Sequence, residues 1–294
     1  MVERKLFFIL HSLLFFLLLF SCGNSEEQER IITQREKAEQ RRLDSLALKI
    51  AVMPTLDALP LYVAQDAHLF EQEDVDVRLR KFHAQMDCDT AVIGRSVEGV
   101  LTDTIRYQYI ERQGTSLRVI SPTEIYWQLI ANRTSRLKQL AQFGDKMVAI
   151  TRHSATDYLT DRAFHNVKTT APVFRIQVND VGLRLKMLLN NEMDAAWLPE
   201  PQATVARQAR HVVVVDSRHR DMGLGVLAFR RRAMEDPRIR DQVSRFVKAY
   251  NKACDSINHY GFSHYGTIIS RECQVDPSVV DTIPPVKYKK IKYS

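Results

Sequence analysis

From Leu48 onward the chain alternates short apolar runs with amphipathic stretches, and this alternation restricts the fold more than any other feature of the sequence. Leu48 to Met53 predicts a buried strand. Leu59 to Phe70 places Leu61, Tyr62, Ala64, Ala67, Leu69 and Phe70 at helical spacing. Val75 to Phe82 alternates Val75, Val77 and Leu79 with charged neighbours, a period-two strand. Helix is then predicted for Met86 to Ile93 and strand for Val97 to Leu101. Strand, helix, strand, helix, strand with short connections is the pattern of a parallel α/β sheet. A second run follows the same rule. Strands are predicted at 117–120 and 126–131, separated by a bend at Ser121-Pro122, then at 147–150, 174–178, 194–198, 211–215 and 223–229. Helices are predicted at 135–142, 155–164, 181–190 and 202–210, and again from Asp236 to Tyr260 and beyond. No short period recurs, so a solenoid is excluded. About 250 residues of this texture fit two α/β lobes better than one. Ligands of such sheets sit at the carboxyl ends of the strands, where helix amino termini present unpaired N–H groups.

The first 47 residues are of another kind. Basic Met1 to Lys5 precedes the apolar stretch Leu6 to Phe20, which is shorter than the roughly 20 residues that cross a bilayer core. It reads as an export leader. Its end, Leu19-Phe20-Ser21-Cys22, resembles the lipobox of bacterial lipoproteins. That resemblance implies cleavage after residue 21 and acyl chains on Cys22 that anchor the protein to a membrane of the cell envelope; an ordinary secretory leader with a chance cysteine is the alternative. Residues 22–47 are a charged tether with few apolar side chains, solvated and in part helical through i,i+4 pairs. Its acidic start, Ser25-Glu26-Glu27-Gln28-Glu29, resembles signals that send lipoproteins to the cell surface, or is a plain spacer.

The formal charge of +7 does not make a nucleic-acid binder. Taking away the leader's net +1 and the +4 of Lys287, Lys289, Lys290 and Lys292 leaves about +2 spread thinly over the rest. No basic groove interleaved with aromatics is visible. With Gly, Pro and Cys numbering only 10, 10 and 4, collagen-like, low-complexity and disulfide-framework classes are excluded as well.

Four motifs, taken in order, resemble the substrate-binding proteins of the nitrate/sulfonate/taurine and thiamine-precursor group of ABC importers. Pro54 to Ala64, running through His68-Leu69-Phe70 into Asp74-Val75-Asp76-Val77, is similar to the family's opening, with His68 where a glycine is usual. Ala84-Gln85-Met86-Asp87 to Gly94, followed by Gly99-Val100-Leu101-Thr102-Asp103, resembles its second helix and third strand. Ser154 to Asp161 looks like the start of a lobe-two helix, and Asp194-Ala195-Ala196-Trp197-Leu198-Pro199-Glu200-Pro201 like its signature ending in leucine-proline-glutamate-proline. The resemblance spans Lys49 to about Ile283. It implies a two-lobed type II periplasmic-binding-protein fold, each lobe a mostly parallel sheet flanked by helices, with two hinge crossovers and a ligand clamped by closure. Lobe 1 would be 48–124 plus 223–294 and lobe 2 would be 125–222, with hinges near Ser121 to Glu124 and Asp221 to Gly223. The implied partners are a small-molecule solute and a transmembrane ABC permease, with no cofactor.

By position, Thr55, Asp57, Thr102, Asp103, Ser154, Ala155, Thr156, Trp197 and Glu200 face the cleft. Asp57 either accepts a hydrogen bond from the ligand or caps the next helix. Ser154 to Thr156 open a helix and offer N–H groups to an anion or polar group, with N-capping by Ser154 as the alternative. Trp197 stacks on a flat ligand or belongs to the core. Glu200, between prolines, is held stiffly for a directed contact. Three acids in one cleft disfavour a free sulfonate or nitrate unless arginine or helix dipoles offset them, which favours an amine or a neutral heteroaromatic such as a pyrimidine. Cys254 and Cys273 are a candidate disulfide. No histidines stand at metal-site spacing, and His153 borders the cleft. An enzyme on the same scaffold, related to thiamine-pyrimidine synthesis, and a ligand-sensing envelope lipoprotein are the rival functions. No clustered cysteines, Gly-x-Ser-x-Gly, Walker loop or zincin helix favours the enzyme.

Overall fold

In the computed structural model, residues 30–220 and 223–293 are described. The expected leader, Cys22 with its acidic neighbours, and the expected hinge residues Asp221 and Met222 lie outside the described residues. Residues 1–47 form a unit of their own, in which residues 30–46 are an almost wholly exposed helix (α1). A Glu39–Arg42 ion pair of 2.7 Å on its surface fits the charged composition.

The second unit, Leu48–Ser294, holds two five-stranded sheets. In chain order the strands are β1 (Leu48–Val52), β2 (Val77–Lys81), β3 (Gly99–Asp103), β4 (Leu117–Pro122), β5 (Trp127–Ala131), β6 (Met147–Ile150), β7 (Phe174–Gln177), β8 (Ala195–Pro199), β9 (Val212–Asp216) and β10 (Gly225–Arg230). The main helices are α2 (Leu59–Asp66), α3 (Leu69–Gln72), α4 (Gln85–Ile93), α5 (Thr104–Arg112), α6 (Ala155–Phe164), α7 (Val181–Leu189), α8 (Gln202–Gln208), α9 (Pro237–Tyr260) and α10 (Gly266–Cys273). The first sheet has the order β2-β1-β3-β10-β4 and the second β7-β6-β8-β5-β9. Each is parallel but for one strand. β10 runs against both β3 and β4, and β5 runs against both β8 and β9.

Those two reversed strands are the ones reached by crossing between sheets. The chain leaves β4 at Pro122 and enters the second sheet as β5; it leaves β9 at Asp216 and returns as β10. Each lobe thus completes its sheet with a strand that arrives from the other. At Gly225 the crossovers touch: a Cβ there would stand 2.2 Å from both Thr123 Oγ1 and Ile125 Cγ2, so only glycine fits.

The core of the first lobe is built from alternate faces of β1 and β10, α2, and the long helix α9, whose inward stripe Val243, Phe246, Val247, Tyr250, Cys254 and Ile257 is buried. The second lobe has a cluster on each face of its sheet, one around Phe143 and Trp197, the other around Leu188 and Leu198. Burial on both faces explains the near-continuous apolar runs of β5 and β8.

Local differences from the sequence expectation have identifiable causes. Leu59 to Phe70 is two helices, because His68 takes a left-handed conformation (φ 53°) that ends α2's line and starts α3. The predicted helix at 135–142 is two 3-10 turns, Arg133–Ser135 and Leu140–Phe143, parted by Arg136 at φ 56°. Cys88, Cys254 and Cys273 are buried free thiols, so the candidate Cys254–Cys273 bridge is not formed.

Candidate functional site

The carboxyl ends of β1, β3 and β6 face one another across a crevice of about 550 Å³, its mouth included. Five polar residues of the first lobe line it: Thr55 and Asp57 in the turn after β1, Gln85, and Thr102 and Asp103 at the end of β3. Gln85, at the start of α4, donates through Nε2 to Thr102 Oγ1 at 3.2 Å. The second lobe contributes Thr151, Ser154 and Thr156 beyond β6, Asn179 beyond β7, and Arg184 on α7. Trp127, Ile125, Leu101 and Pro199 supply apolar wall.

The lobes are drawn together around this crevice. Arg106 Nη1 donates to the carbonyl of Arg152 at 3.0 Å, and the Tyr109 and His153 rings stack with centroids 5.3 Å apart. The Ala155 N–H faces the Asp103 carboxylate and favours its charged form. Near the other strand ends, Leu56 N–H donates to the carbonyl of Glu200 at 3.0 Å, and Gln202 Nε2 to that of Pro54 at 2.8 Å.

Three buried charges decide the electrostatics. Asp57 accepts from Thr55 Oγ1 at 2.6 Å and from Thr123 Oγ1 at 3.3 Å, yet burial still pushes its carboxyl above the ordinary range. Asp103 caps α5 through the N–H groups of Ile105 and Arg106, and burial outweighs those bonds, so its carboxyl is pushed up to about 6. Arg184 is 4% exposed, and burial brings its guanidinium down to about 10, which leaves it charged at neutral pH. Its Nε donates to Val178 O at 3.1 Å, Nη1 to Trp197 O at 2.7 Å and Nη2 to Thr151 Oγ1 at 2.8 Å. These partners are neutral, so the guanidinium keeps its positive charge against the two carboxylates.

No family model and no curated protein sequence matches the chain. Solved structures do. The alkanesulfonate-binding protein SsuA of Xanthomonas axonopodis, bound to MOPS, superposes with a TM-score of 0.70 at 15% identity, over 83% of this chain and 86% of its own. The periplasmic nitrate-binding protein NrtA of Synechocystis gives 0.68 at 13% identity, over 80% of this chain and 68% of its own. A protein of Bordetella bronchiseptica gives 0.67 at 17%, over 81% and 80%. The chain has the two-lobed periplasmic-binding-protein fold. In that fold the crevice between the sheets is where strand ends and helix amino termini converge.

Of the residues picked from the sequence, this binding-protein fold brings Thr55, Asp57, Thr102, Asp103, Ser154 and Thr156 to one crevice, and Ala155 meets Asp103 through its backbone. Asp57 makes no side-chain cap on α2, whose first turn starts from Ala58. Two residues are placed elsewhere. Trp197 is fully buried, its ring in the core and its Nε1 donating to Thr160 Oγ1 at 2.9 Å. Glu200 lines a smaller adjoining pocket with Asp57, Ile125 and Tyr126, its carboxylate held by four polar contacts: Tyr126 Oη donates to it at 2.9 Å, Thr204 donates from N at 3.0 Å and from Oγ1 at 2.6 Å, and Arg207 pairs with it at 2.8 Å. The aromatic that does reach the crevice is Trp127, on the neighbouring strand β5. Arg184 was missed, although the sequence carries a signal for it. It falls on the buried stripe Val181, Arg184, Leu185, Leu188 of α7, where an apolar residue is the rule.

Proposed function

We propose that the protein is the solute-binding component of an ABC-type importer, anchored through Cys22 to an envelope membrane, which captures a small organic solute (amine, pyrimidine-like or sulfonate) between its lobes and passes it unchanged to a permease. The observation that carries this reading is the crevice itself, walled from both sheets at the strand ends by hydroxyls, amides and three buried charges. A hinge that closes such walls over a solute makes contacts on both sides at once and releases it when they part. The lipobox-like leader supports the placement, and the binding proteins among the structural neighbours support the role. No helix among the described residues is long and apolar enough to cross a membrane.

A thermal-shift screen of the purified protein against panels of amines, pyrimidines, sulfonates and inorganic anions tests the reading. A true solute at a hundred times its Kd should stabilise the protein by about 2.7 kcal/mol, read as a raised melting temperature, and should be recovered chemically intact. A solute altered on incubation, or a melting point that no panel moves, would discard the proposal.

A further inference from the structure

The amino end of α6 stands beside the crevice, where a helix of ten residues could present free N–H groups to a bound anion. None of its first four N–H groups is free. Thr156 N–H donates to Ser154 Oγ at 3.1 Å, and the N–H groups of Asp157 and Tyr158 both donate to the Ser154 carbonyl at 3.1 Å. The remaining one, on Ala155, faces the carboxylate of Asp103 from the opposite lobe and favours its charged form. That carboxylate is 4% exposed and is fixed from its own side by the N–H groups of Ile105 at 2.9 Å and Arg106 at 2.8 Å. One side chain therefore joins the positive ends of two helices, α5 and α6, across the crevice. The Arg106–Arg152 hydrogen bond and the Tyr109–His153 stack hold the same two segments in place.

We infer that Asp103 is a built-in anion: it fills the helix-end position that a free anion would take, so the crevice selects neutral or singly cationic solutes and rejects nitrate, sulfate and sulfonates. This rests on the solute-binding reading and narrows it. A tethered carboxylate competes at an effective concentration on the order of millimolar or more. An anion that displaced it would leave Asp103 buried without its Ala155 partner, beside a second charge of the same sign. The rest of the wall points the same way. Asp57 and Asp103 face a single guanidinium, Arg184, so the crevice carries one negative charge in excess. A cation balances that charge, and a neutral polar solute leaves it undisturbed.

The test compares the purified wild-type protein with Asp103→Ser and Asp103→Asn, using sodium formate, nitrate and methanesulfonate as probes at constant ionic strength. Serine caps α5 as well as aspartate does but is too short to span to α6; asparagine caps α5 and still fills the space. The expected result is no anion-specific rise in melting temperature for the wild type or Asp103→Asn. For Asp103→Ser, a rise of about 3 °C or more with formate or methanesulfonate is expected. A wild type stabilised by these anions as strongly as the serine variant would overturn the inference, as would a cooperatively melting serine variant that no anion stabilises. The wild-type comparison decides the matter even where the serine variant does not fold. Wild-type binding of an anion would leave the solute-binding proposal standing, whereas a wild type that responds to no solute of any charge would remove the proposal itself.

Discussion

Replacing Trp197 by alanine is expected to cost about 3–5 kcal/mol of folding free energy, the range for deleting a large aromatic from a packed interior. The indole is fully buried in the core on one face of the second sheet, in the cluster that includes Phe143 and Leu159. Its removal leaves a void that the short strands around it cannot collapse into, because β5 and β8 are tied in register, Leu129 opposite Trp197. Thr160 Oγ1 also loses the indole N–H, although it still donates to Thr156 O at 2.7 Å. Urea unfolding measures the loss. Solute affinity, measured where the variant is still folded, should change little, since the ring does not reach the crevice. A variant that keeps wild-type stability and loses solute affinity would reverse the assignment and restore Trp197 to the binding wall.

The second large effect is a pH dependence that belongs to Asp103. Burial raises its carboxyl to about 6 in the folded protein from the 3.8 of a free aspartate, so the folded state holds the proton more tightly than the unfolded chain. Its contribution to stability is fully present below pH 3.8 and is lost as the pH rises through about 6, after which it is flat. The size is on the order of 3 kcal/mol. Other carboxylates titrate in the same range, so the quantity to measure is the difference between wild type and Asp103→Asn in urea unfolding at a series of pH values. Wild-type stability relative to the asparagine variant should fall between pH 4 and 6 and then level. A constant difference would show that the group is solvated, and that the lobes do not enclose it.

The architecture was legible because its elements have strong local signals. Strands buried on both faces appear as apolar runs such as Ala195 to Leu198, and helices with a wide inward stripe, such as α9, show their period. Helix α5 carries no such signal, since only Arg106 and Ile110 of its nine residues are buried. It nevertheless contributes most of the contacts that bring the lobes together on that side. The reversal of β5 and β10 was equally invisible, because the direction of a strand in its sheet leaves no trace in its own side-chain pattern. For the candidate site, position at strand ends was enough to pick out Asp57, Thr102, Asp103 and Ser154, which come to one crevice. Position could not tell which of two tryptophans on adjacent strands faces the crevice, or that Glu200 is turned toward Tyr126, Thr204 and Arg207. Nor could it show that the Ala155 N–H faces the Asp103 carboxylate, although the two lie in different lobes. That contact is a property of closure, and it changes the sense of the helix end from an open anion site to a filled one.

A crystal structure of the protein grown with whichever solute raises its melting temperature is the most direct test of solute capture between the lobes. The solute should lie inside the crevice, touching Asp57 or Gln85 from the first lobe and Arg184 or Asn179 from the second, with the Ala155 N–H still facing Asp103. A solute bound on the outer surface of one lobe, with the crevice empty, would contradict it.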